Sequence, residues 1–264
     1  MLRLATWNIN SVRLRLDNVR RFIAEEQPDV LCLQETKTPD DLFPRDAFAE
    51  LGYRHQLVHG MKGYNGVAVL SRLEIAESGT QSWCQRQDCR HGIARLPGGV
   101  ELHNLYIPAG GDIPDPAANP KFAHKLQFLD ELAAWFASAR RATQPMILLG
   151  DLNIAPLESD VWSHKQLLTV VSHTPVEVEK LGALQASAGF IDAVRRFVPP
   201  PERLYSWWSY RARDWEASDR GRRLDHIWVT QPLQGGLRSA AVHRQLRGWE
   251  KASDHVPVVV TLGG

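Results

Sequence analysis

Long hydrophobic runs are missing from this chain of 264 residues. No stretch reaches the roughly 18 consecutive apolar residues that a transmembrane helix needs. The first residues, MLRLATWNIN, contain no long apolar segment followed by small residues, so a secretory signal is not expected either. These absences predict a cytoplasmic protein without a membrane partner.

Cysteine and net charge are also scarce. The chain has 3 cysteines, Cys32, Cys84 and Cys89, which we interpret as free thiols. Cys84 and Cys89 with His91 resemble half of a zinc site, but no second pair of ligands follows at zinc spacing. The chain has 31 basic and 30 acidic residues, so its net charge is close to zero. A polyanionic partner must therefore be bound by a local basic patch rather than by overall charge.

The most informative stretch is PMILLGDLNIAP, residues 145–156. Four apolar residues between a proline and a glycine are typical of a strand that is buried on both faces. Asp151 and Asn153 follow, and in an extended chain their side chains point the same way. Both are also ordinary turn formers, so this stretch alone leaves a turn and a functional pair open.

Strand and helix patterns alternate along the rest of the chain. Residues 2–9 and 30–33 predict strands around a helix at 17–26, with Asp17 as its possible N-cap. Residues 92–96 and 100–107 flank Pro97-Gly98-Gly99, which indicates a hairpin. Further helices are predicted at 121–141 and 177–188. No shift of composition surrounds Pro199-Pro200-Pro201, so no domain boundary is placed there, and the pattern predicts an α/β fold.

Polar side chains end or begin six of the strand-like segments. They are Asn8, Glu35, Asn104 with Tyr106, Asp151 with Asn153, Asp225, and Asp254 with His255. Each could by itself be a turn or cap residue, but six at one rim are hard to explain in that way. Carboxylate and amide oxygens suit Mg²⁺ or Mn²⁺, and the whole set is typical of metal-assisted phosphodiester hydrolysis.

An aromatic and basic segment, YSWWSYRARDW, covers residues 205–215. Aromatic rings can stack on unpaired bases, and arginines can contact phosphates. The alternatives are that Trp207 or Trp208 belongs to the core and that Arg211 and Arg213 are solvated. A second polar segment, with Trp162, His164 and Lys165, is too long for a simple connection and is a candidate substrate-facing loop.

Six ordered motifs give the chain a specific resemblance to a known family. TWNINSVR, PDVLCLQETK, NLYIP, GDLNIAP, RRLDHIWV and SDHVPV occur between residues 2 and 262. In order and spacing they resemble the exonuclease III and apurinic/apyrimidinic endonuclease family, within the deoxyribonuclease I-like superfamily. The resemblance implies a four-layer α/β sandwich, with two mostly antiparallel sheets packed face to face and helices outside. Residues 1–264 would form one domain with internal pseudo-symmetry.

The resemblance also implies an activity. It predicts an Mg²⁺-dependent, monomeric DNA repair phosphodiesterase, with Mn²⁺ as a possible substitute, that acts on duplex DNA. Cleavage lies 5′ to abasic sites, at 3′ ends, or at both. The loop with Trp162 has no clear counterpart in the family pattern, which leaves the balance of the two activities open.

Roles for individual residues follow from the same resemblance. Glu35 would be the principal metal ligand, with Asn8 and Asp254 near it. Asp151 would activate or position the attacking water with Asn153, and this pair is also a candidate for a second metal. Tyr106 would lie over the scissile phosphate, and His255, paired with Asp225, would contact a phosphate oxygen. DNA contacts are expected from Arg90, Lys121, Trp207 and Arg211.

Other functions were weighed against this one. A calcineurin-like phosphoesterase needs several metal-binding histidines and a GNHD-type motif, and a P-loop nucleotidase needs GxxxxGK[ST]; the chain has neither motif. A small-molecule or lipid phosphatase of the same superfamily would keep the polar set but lose the aromatic and basic segment. A non-catalytic DNA-binding module would be expected to lose part of the polar set, which is complete here.

Overall fold

The computed structural model describes residues 1–263 and is built around two six-stranded β-sheets. The strands are β1 (Leu2–Asn8), β2 (Val30–Gln34), β3 (His55–His59), β4 (Val67–Ser71), β5 (Glu77–Thr80), β6 (His91–Arg95), β7 (Glu101–Tyr106), β8 (Met146–Asp151), β9 (Ile191–Asp192), β10 (Trp207–Trp208), β11 (Gly221–Arg222), β12 (Asp225–Val229), β13 (Leu237–Val242) and β14 (Val258–Leu262). The helices are α1 (Leu16–Glu26), α2 (Arg45–Glu50), α3 (Pro120–Ala139), α4 (His164–Leu167), α5 (Pro175–Ser187), α6 (Trp215–Ser218) and α7 (Gln231–Gln234).

The two sheets have the same internal arrangement. The first has the order β13-β14-β1-β2-β4-β3, and the second has the order β5-β6-β7-β8-β12-β9. In each, the two central strands are parallel and every other neighbouring pair is antiparallel. A helix connects each parallel pair, α1 in the first sheet and α3 in the second. This arrangement is what internal pseudo-symmetry produces, while the single-domain organisation stays a prediction.

Apolar side chains place the sheets in the middle of four layers. One core cluster lies between the sheets and contains Leu4 and Val30 from the first with Ile147 and Ile227 from the second. A second cluster packs α1 against the outer face of the first sheet. A third packs α3 and α5 against the outer face of the second sheet. The predicted four-layer α/β sandwich is therefore confirmed.

Strand directions bring the polar strand ends to one rim. The carboxyl ends of β1 and β2 meet because these strands are parallel, and the same holds for β7 and β8. β14 is antiparallel to β1 and β12 is antiparallel to β8, so both strands begin at this rim. Asp225 consequently lies opposite Asp151 in the register of the second sheet.

Gly150 allows β7 and β8 to approach at the rim. Its φ is 134°, and a Cβ atom added there would lie 2.0 Å from the carbonyl oxygen of Leu105. Since no side chain fits at that distance, glycine is required immediately before Asp151. The apolar-to-polar change in PMILLGDLN therefore coincides with a steric constraint of the sheet.

Several expectations about local structure are confirmed, and one is wrong. The hairpin between β6 and β7 is present, and Gly98 and Gly99 in its turn have positive φ. Asp17 is not an N-cap, because α1 begins at Leu16 and Arg15 occupies the capping position without a side-chain hydrogen bond. Asp17 instead lies in the first turn, where a carboxylate is favoured by the helix dipole.

The residues that the structure describes include no helix long and apolar enough to cross a membrane.

His226 ties β12 to the chain beyond Asn153, and its burial predicts acid sensitivity. Its Nε2 donates to the carbonyl oxygen of Ile154 at 2.9 Å, and burial, reinforced by Arg223, lowers its pKa to about 3. The unfolded chain therefore binds a proton below its ordinary pKa of about 6.5, whereas the folded protein does not. Stability is retained above this value and falls as the pH decreases.

We expect His226 to account for about 2 kcal/mol of the stability lost between about pH 7 and about pH 5. Urea unfolding of the parent and of His226→Gln at the two pH values measures this contribution. The variant keeps a hydrogen-bond donor but cannot titrate, so its loss should be smaller by that amount. Equal losses in both proteins would contradict the assignment.

Candidate active site

Asn8 and Glu35 link the rim of the first sheet to the rim of the second. The buried Nδ2 of Asn8 donates to Glu35 Oε1 at 2.9 Å and to Asp151 Oδ2 at 2.8 Å. Asn8 ends β1 and Asp151 ends β8, so one amide joins the two sheets where their parallel strands finish. The three side chains form a single hydrogen-bonded unit at the rim where the strand-end pattern placed them.

Asp151 and Asn153 form a closed turn after β8. Asp151 Oδ1 accepts from the backbone N–H of Asn153 at 2.9 Å, and Asp151 Oδ2 accepts from Asn153 Nδ2 at 3.2 Å. Asn153 Nδ2 also donates to the carbonyl oxygen of Ile107 at 2.8 Å. Asn153 and Glu35 have left-handed φ values of 54° and 48°. Non-glycine residues in this region are strained, and such strain concentrates at functional sites.

His255 is held by a second carboxylate. Its Nδ1 lies 2.8 Å from Asp225 Oδ2, and its Nε2 lies 3.6 Å from Asp151 Oδ2. Ser206 Oγ donates to Asp225 Oδ2 at 2.6 Å. All of these side chains are buried. The predicted pairing of His255 with Asp225 is therefore present, and Ser206 is an additional partner that sequence reasoning missed.

The pKa values of Asp151 and His255 are both raised, but from different causes. Burial raises the pKa of Asp151 to about 7, opposed by the charge of His255 and reinforced by Asp225. For His255, burial lowers the pKa, but the carboxylates of Asp225 and Asp151 outweigh it and raise the value to about 10. His255 is thus a charged imidazolium at neutral pH, with an N–H on each ring nitrogen.

Tyr106 ends β7, next to Asp151 in the register of the second sheet. Burial raises its pKa well above the ordinary value, and the carboxylates of Glu35 and Asp151 add to this effect. The phenol therefore keeps its proton and can donate a hydrogen bond. The guanidinium of Arg90 lies over the ring at 4.7 Å, and Arg90 Nη1 donates to the Tyr106 carbonyl at 3.2 Å.

A second chain of contacts runs from Glu35 to Asp254. Lys37 Nζ lies 2.8 Å from Glu35 Oε2 and donates to Asn10 Oδ1 at 2.6 Å. Asn10 Nδ2 donates to Asp254 Oδ1 at 3.1 Å, and Trp207 Nε1 donates to Asp254 Oδ2 at 2.9 Å. Asp254 thus reaches Glu35 through two intervening side chains. Sequence reasoning missed Lys37 and Asn10, although both stand inside the motifs PDVLCLQETK and TWNINSVR.

The oxygen atoms around Glu35 fit a hard divalent cation. Burial raises the pKa of Glu35, but Lys37 and Asn8 outweigh it and lower the value. Burial likewise raises the pKa of Asp254, which His255, Trp207 and Asn10 lower. Both carboxylates are consequently anionic at neutral pH, and both line the same cavity. Carboxylate and amide oxygens without thiolates suit Mg²⁺ or Mn²⁺.

A different trio also has the spacing of metal ligands. Ligand atoms of Asp151, Asp225 and His255 lie within 4.8 Å of one another. His255, however, is protonated on both nitrogens, and Asp225 is already bonded to it. An imidazolium has no lone pair to offer a metal. The trio therefore forms a hydrogen-bonded network through His255, and the trio and the oxygens around Glu35 are the two candidate cation sites.

A cavity of about 640 Å³ opens beside these groups. Its lining includes Trp162 and Trp207, and an arginine stacks on each of these rings. Arg220 lies over Trp162 at 4.7 Å, and Arg222 lies over Trp207 at 5.3 Å. Stacked guanidinium groups and rings can contact phosphates and bases. Of the three residues named for the predicted substrate-facing loop, Trp162 lines this cavity, whereas His164 and Lys165 belong to α4 and are not among the lining residues.

The predicted DNA-contacting residues lie in different environments. Trp207 and the exposed Arg211 line the cavity. Lys121 is exposed in the first turn of α3, and its side chain approaches Gly111, another lining residue. Arg90 lies outside the cavity lining, because Asp88 at 2.5 Å and the ring of Tyr106 engage its guanidinium. Its contact with DNA stays a prediction.

One further expectation differs from the structure, and another is confirmed. Asn104 does not lie at the rim: its Nδ2 donates to the carbonyl oxygens of Leu33 and Ala68, and its Oδ1 accepts from Gln34. It therefore bridges the sheets two residues before Tyr106. Trp208 is buried and donates to Asp219, which confirms that one of the adjacent tryptophans belongs to the core.

Comparisons with known proteins agree with this architecture. The model of a family described as endonuclease/exonuclease/phosphatase matches residues 5–255. Exodeoxyribonuclease III of Haemophilus influenzae is 31% identical over 268 residues, covering 97% of this chain and 98% of the relative. An AP endonuclease structure from Archaeoglobus fulgidus superimposes with a TM-score of 0.92 at 32% identity, covering 99% of each chain. A 3′ phosphatase from Neisseria bound to a product DNA hairpin gives 0.91 at 30% identity, covering 100% of each chain.

Proposed function

The chain belongs to the endonuclease/exonuclease/phosphatase family, and from this premise we propose that it cleaves DNA phosphodiesters with Mg²⁺ at abasic sites, at 3′ ends, or at both. It is a metal-dependent DNA repair nuclease that acts on DNA. The family resemblance expected from the sequence motifs is confirmed. The observation that supports the finer proposal is a hydrogen-bonded group of polar strand ends at one rim, next to a cavity that is also lined by Trp162 and Trp207 with arginines stacked on both rings.

Each polar group has a proposed task. Glu35 and Asp254, with Asn8, would hold Mg²⁺, and Asp151 with Asn153 is the candidate set for a second ion. When bound, the ion supplies positive charge against the phosphate and lowers the pKa of water. Mn²⁺ offers the same ligand preference and is a possible substitute.

The remaining side chains handle protons and charge on the phosphate. Asp151 accepts a proton from the attacking water, which Asn153 helps to orient. The N–H of His255 Nε2 and the phenolic O–H of Tyr106 donate to non-bridging phosphate oxygens as negative charge develops on them. The water oxygen forms the new bond to phosphorus while the bond to the 3′ oxygen breaks and that oxygen takes up a proton. Cleavage beside an abasic site and removal of a 3′ nucleotide share this step.

One assay separates the possible substrates. The parent protein is incubated with a duplex that carries an abasic-site analogue, one with a recessed 3′ end, and one with a 3′ phosphate, in Mg²⁺ and in EDTA. We expect cleavage of at least one duplex in Mg²⁺ and of none in EDTA. The ratio of the rates gives the substrate preference, and a protein that leaves all three duplexes intact in Mg²⁺ would refute the proposed function.

A further inference from the structure

A fully buried ion pair lies behind the turn that carries Asp151 and Asn153. Lys125 from α3 and Glu177 from α5 are both 0% exposed, and Lys125 Nζ lies 2.5 Å from Glu177 Oε1. Replacement of a buried ion pair by apolar side chains is often neutral or stabilising, so such a pair contributes little to net stability. Its position next to the turn suggests a different role.

The ammonium group of Lys125 has three acceptors. Besides Glu177, Lys125 Nζ donates to the carbonyl oxygen of Asn153 at 2.8 Å and to that of Ala109 at 3.3 Å. The three protons of the group therefore reach α5, the turn after β8 and the loop after β7. The hydrogen bond from Lys125 holds the carbonyl group of Asn153, a residue with a strained left-handed φ of 54°.

Glu177 holds the segment that forms one wall of the cavity. Its carboxylate accepts from the backbone N–H of Ser172 at 2.9 Å, from that of Thr174 at 3.2 Å, and from Thr174 Oγ1 at 2.7 Å. Val170, Val171 and Ser172 line the cavity. The carbonyl oxygen of Ser172 accepts in turn from the backbone N–H of Ala155 at 2.8 Å. This hydrogen bond links the segment held by Glu177 directly to the chain that follows Asn153.

We infer that Lys125 is a positioning residue, which with Glu177 locks the Asp151–Asn153 turn and the 170–174 wall into one unit. Lys125 does not itself line the cavity, and its contacts with the lining residues Asn153 and Ala109 are to their backbone carbonyl oxygens. It acts through the Asn153 carbonyl, which holds the asparagine amide against Asp151 Oδ2 and the carbonyl of Ile107. The inference rests on the proposed role of Asp151 and Asn153 in handling the attacking water.

Two variants separate positioning from stability. Lys125→Met leaves the Glu177 carboxylate buried without its partner, and its melting temperature should fall. Lys125→Met/Glu177→Gln removes both charges, and the oxygen of the glutamine can still accept from Ser172 and Thr174. We expect the double variant to regain most of the lost melting temperature and to keep KM for duplex DNA within about threefold, because the wall retains its bonds.

The double variant should nevertheless remain slow. A displacement of about 1 Å in catalytic geometry can cost about a hundredfold in rate, and we expect kcat in Mg²⁺ to stay at least about tenfold below the parent. The matched control is Lys180→Met, which removes an exposed ion pair between the same two helices, Lys180 with Asp130 at 2.5 Å. This control should keep the parent kcat. A folded double variant with parental kcat would overturn the inference.

Hydrogen exchange of the parent protein gives a second test that needs neither variant nor DNA cleavage. Amides that open in one cooperative unit exchange with a common free energy. We expect the amides of Asn153 and Ala155 to exchange within about threefold of those of Ser172 and Thr174. Protection factors that differ by more than about tenfold between the two segments would show that they open separately and would reject the inference. This result is independent of activity, so failure of the proposed function is recognised separately, by a parent protein that cleaves no DNA.

Discussion

Asp151→Asn is expected to lower the single-turnover cleavage rate in Mg²⁺ by at least about a hundredfold, the scale of losing an essential proton acceptor. Asp151 accepts three hydrogen bonds from Asn8 and Asn153, and its pKa is raised by burial to about 7. An asparagine at this position has one oxygen instead of two and cannot take up a proton from water. The chemical step therefore loses its base, and one donor of the network loses its acceptor.

DNA binding by the same variant should change little. Asp151 is 1% exposed, and a carboxylate offers a phosphate no attractive contact in place of the hydrogen bonds that it accepts within the rim. Fluorescence anisotropy with a labelled duplex in EDTA should give a Kd within about threefold of the parent, or a lower one because one negative charge is removed. Rapid-quench measurements with excess protein in Mg²⁺ give the cleavage rate separately from product release.

Asp112→Asn is the matched control for this substitution. Asp112 is exposed and lines the same cavity, but it belongs to no hydrogen-bonded group of the rim. Its replacement removes the same charge without touching the network, and we expect the cleavage rate to stay within about threefold of the parent. An unchanged single-turnover rate in Asp151→Asn would show that this carboxylate does not handle the water.

The meeting of the polar strand ends could be predicted because strand geometry leaves few choices. A buried apolar strand that ends in polar residues places those residues at a sheet edge, and parallel neighbours place their ends at the same edge. Asp151, Asn153, Glu35 and Asn8 follow this rule. Asp225 and His255 need one further fact, that their strands are antiparallel neighbours and begin at the same rim.

The hydrogen-bond and ion-pair partners of these residues could not be predicted in the same way. Lys37 reaches Glu35 across a turn with left-handed backbone, and Ser206 reaches Asp225 from a distant segment. Lys125 lies on the apolar side of an amphipathic helix, where sequence periodicity alone gives no reason for a charge. Such contacts depend on tertiary distances of a few ångströms, which composition and periodicity do not encode.

Edge strands were missed for a related reason. All four residues of β5 are exposed, and β13 is mostly exposed or half-buried, so neither carries the apolar pattern that indicates a strand. Their conformation comes from pairing with β6 and β14, which the sequence signals clearly. The DNA contact of Arg90, which the family resemblance implies, stays a prediction, and the sequence did not indicate that Asp88 and Tyr106 engage this side chain.

Glu35→Ala is expected to raise the Mg²⁺ concentration for half-maximal cleavage by at least about tenfold. Glu35 lines the cavity, accepts a hydrogen bond from Asn8 and pairs with Lys37, and its lowered pKa keeps it anionic at neutral pH. Loss of one carboxylate from a hard oxygen site weakens the binding of a divalent cation, because water replaces a charged ligand. A titration of cleavage rate against Mg²⁺ measures the change, with Asp112→Asn as the control of equal charge.

Binding can be followed without cleavage, through the melting temperature. An ion that binds the folded state alone stabilises it by an amount that grows with concentration, so the parent should melt higher as Mg²⁺ is added. Glu35→Ala should lack this increase at concentrations that saturate the parent. If the titrations of the variant and the parent superimpose in both assays, Glu35 is not a ligand of the cation.

The same titration decides between the two candidate cation sites. If the oxygens around Glu35 hold the ion, Glu35→Ala loses more of the Mg²⁺-dependent stabilisation than Asp225→Asn, because Asp225 is engaged by His255 and Ser206. If the ion instead lies among Asp151, Asp225 and His255, the order of the two variants is reversed. The reversed order would also require His255 to lose a proton, since an imidazolium cannot be a ligand, and Mg²⁺ binding would then release protons and weaken as the pH falls. We expect the first order, because the carboxylates of Asp225 and Asp151 stabilise the imidazolium of His255 within the buried rim.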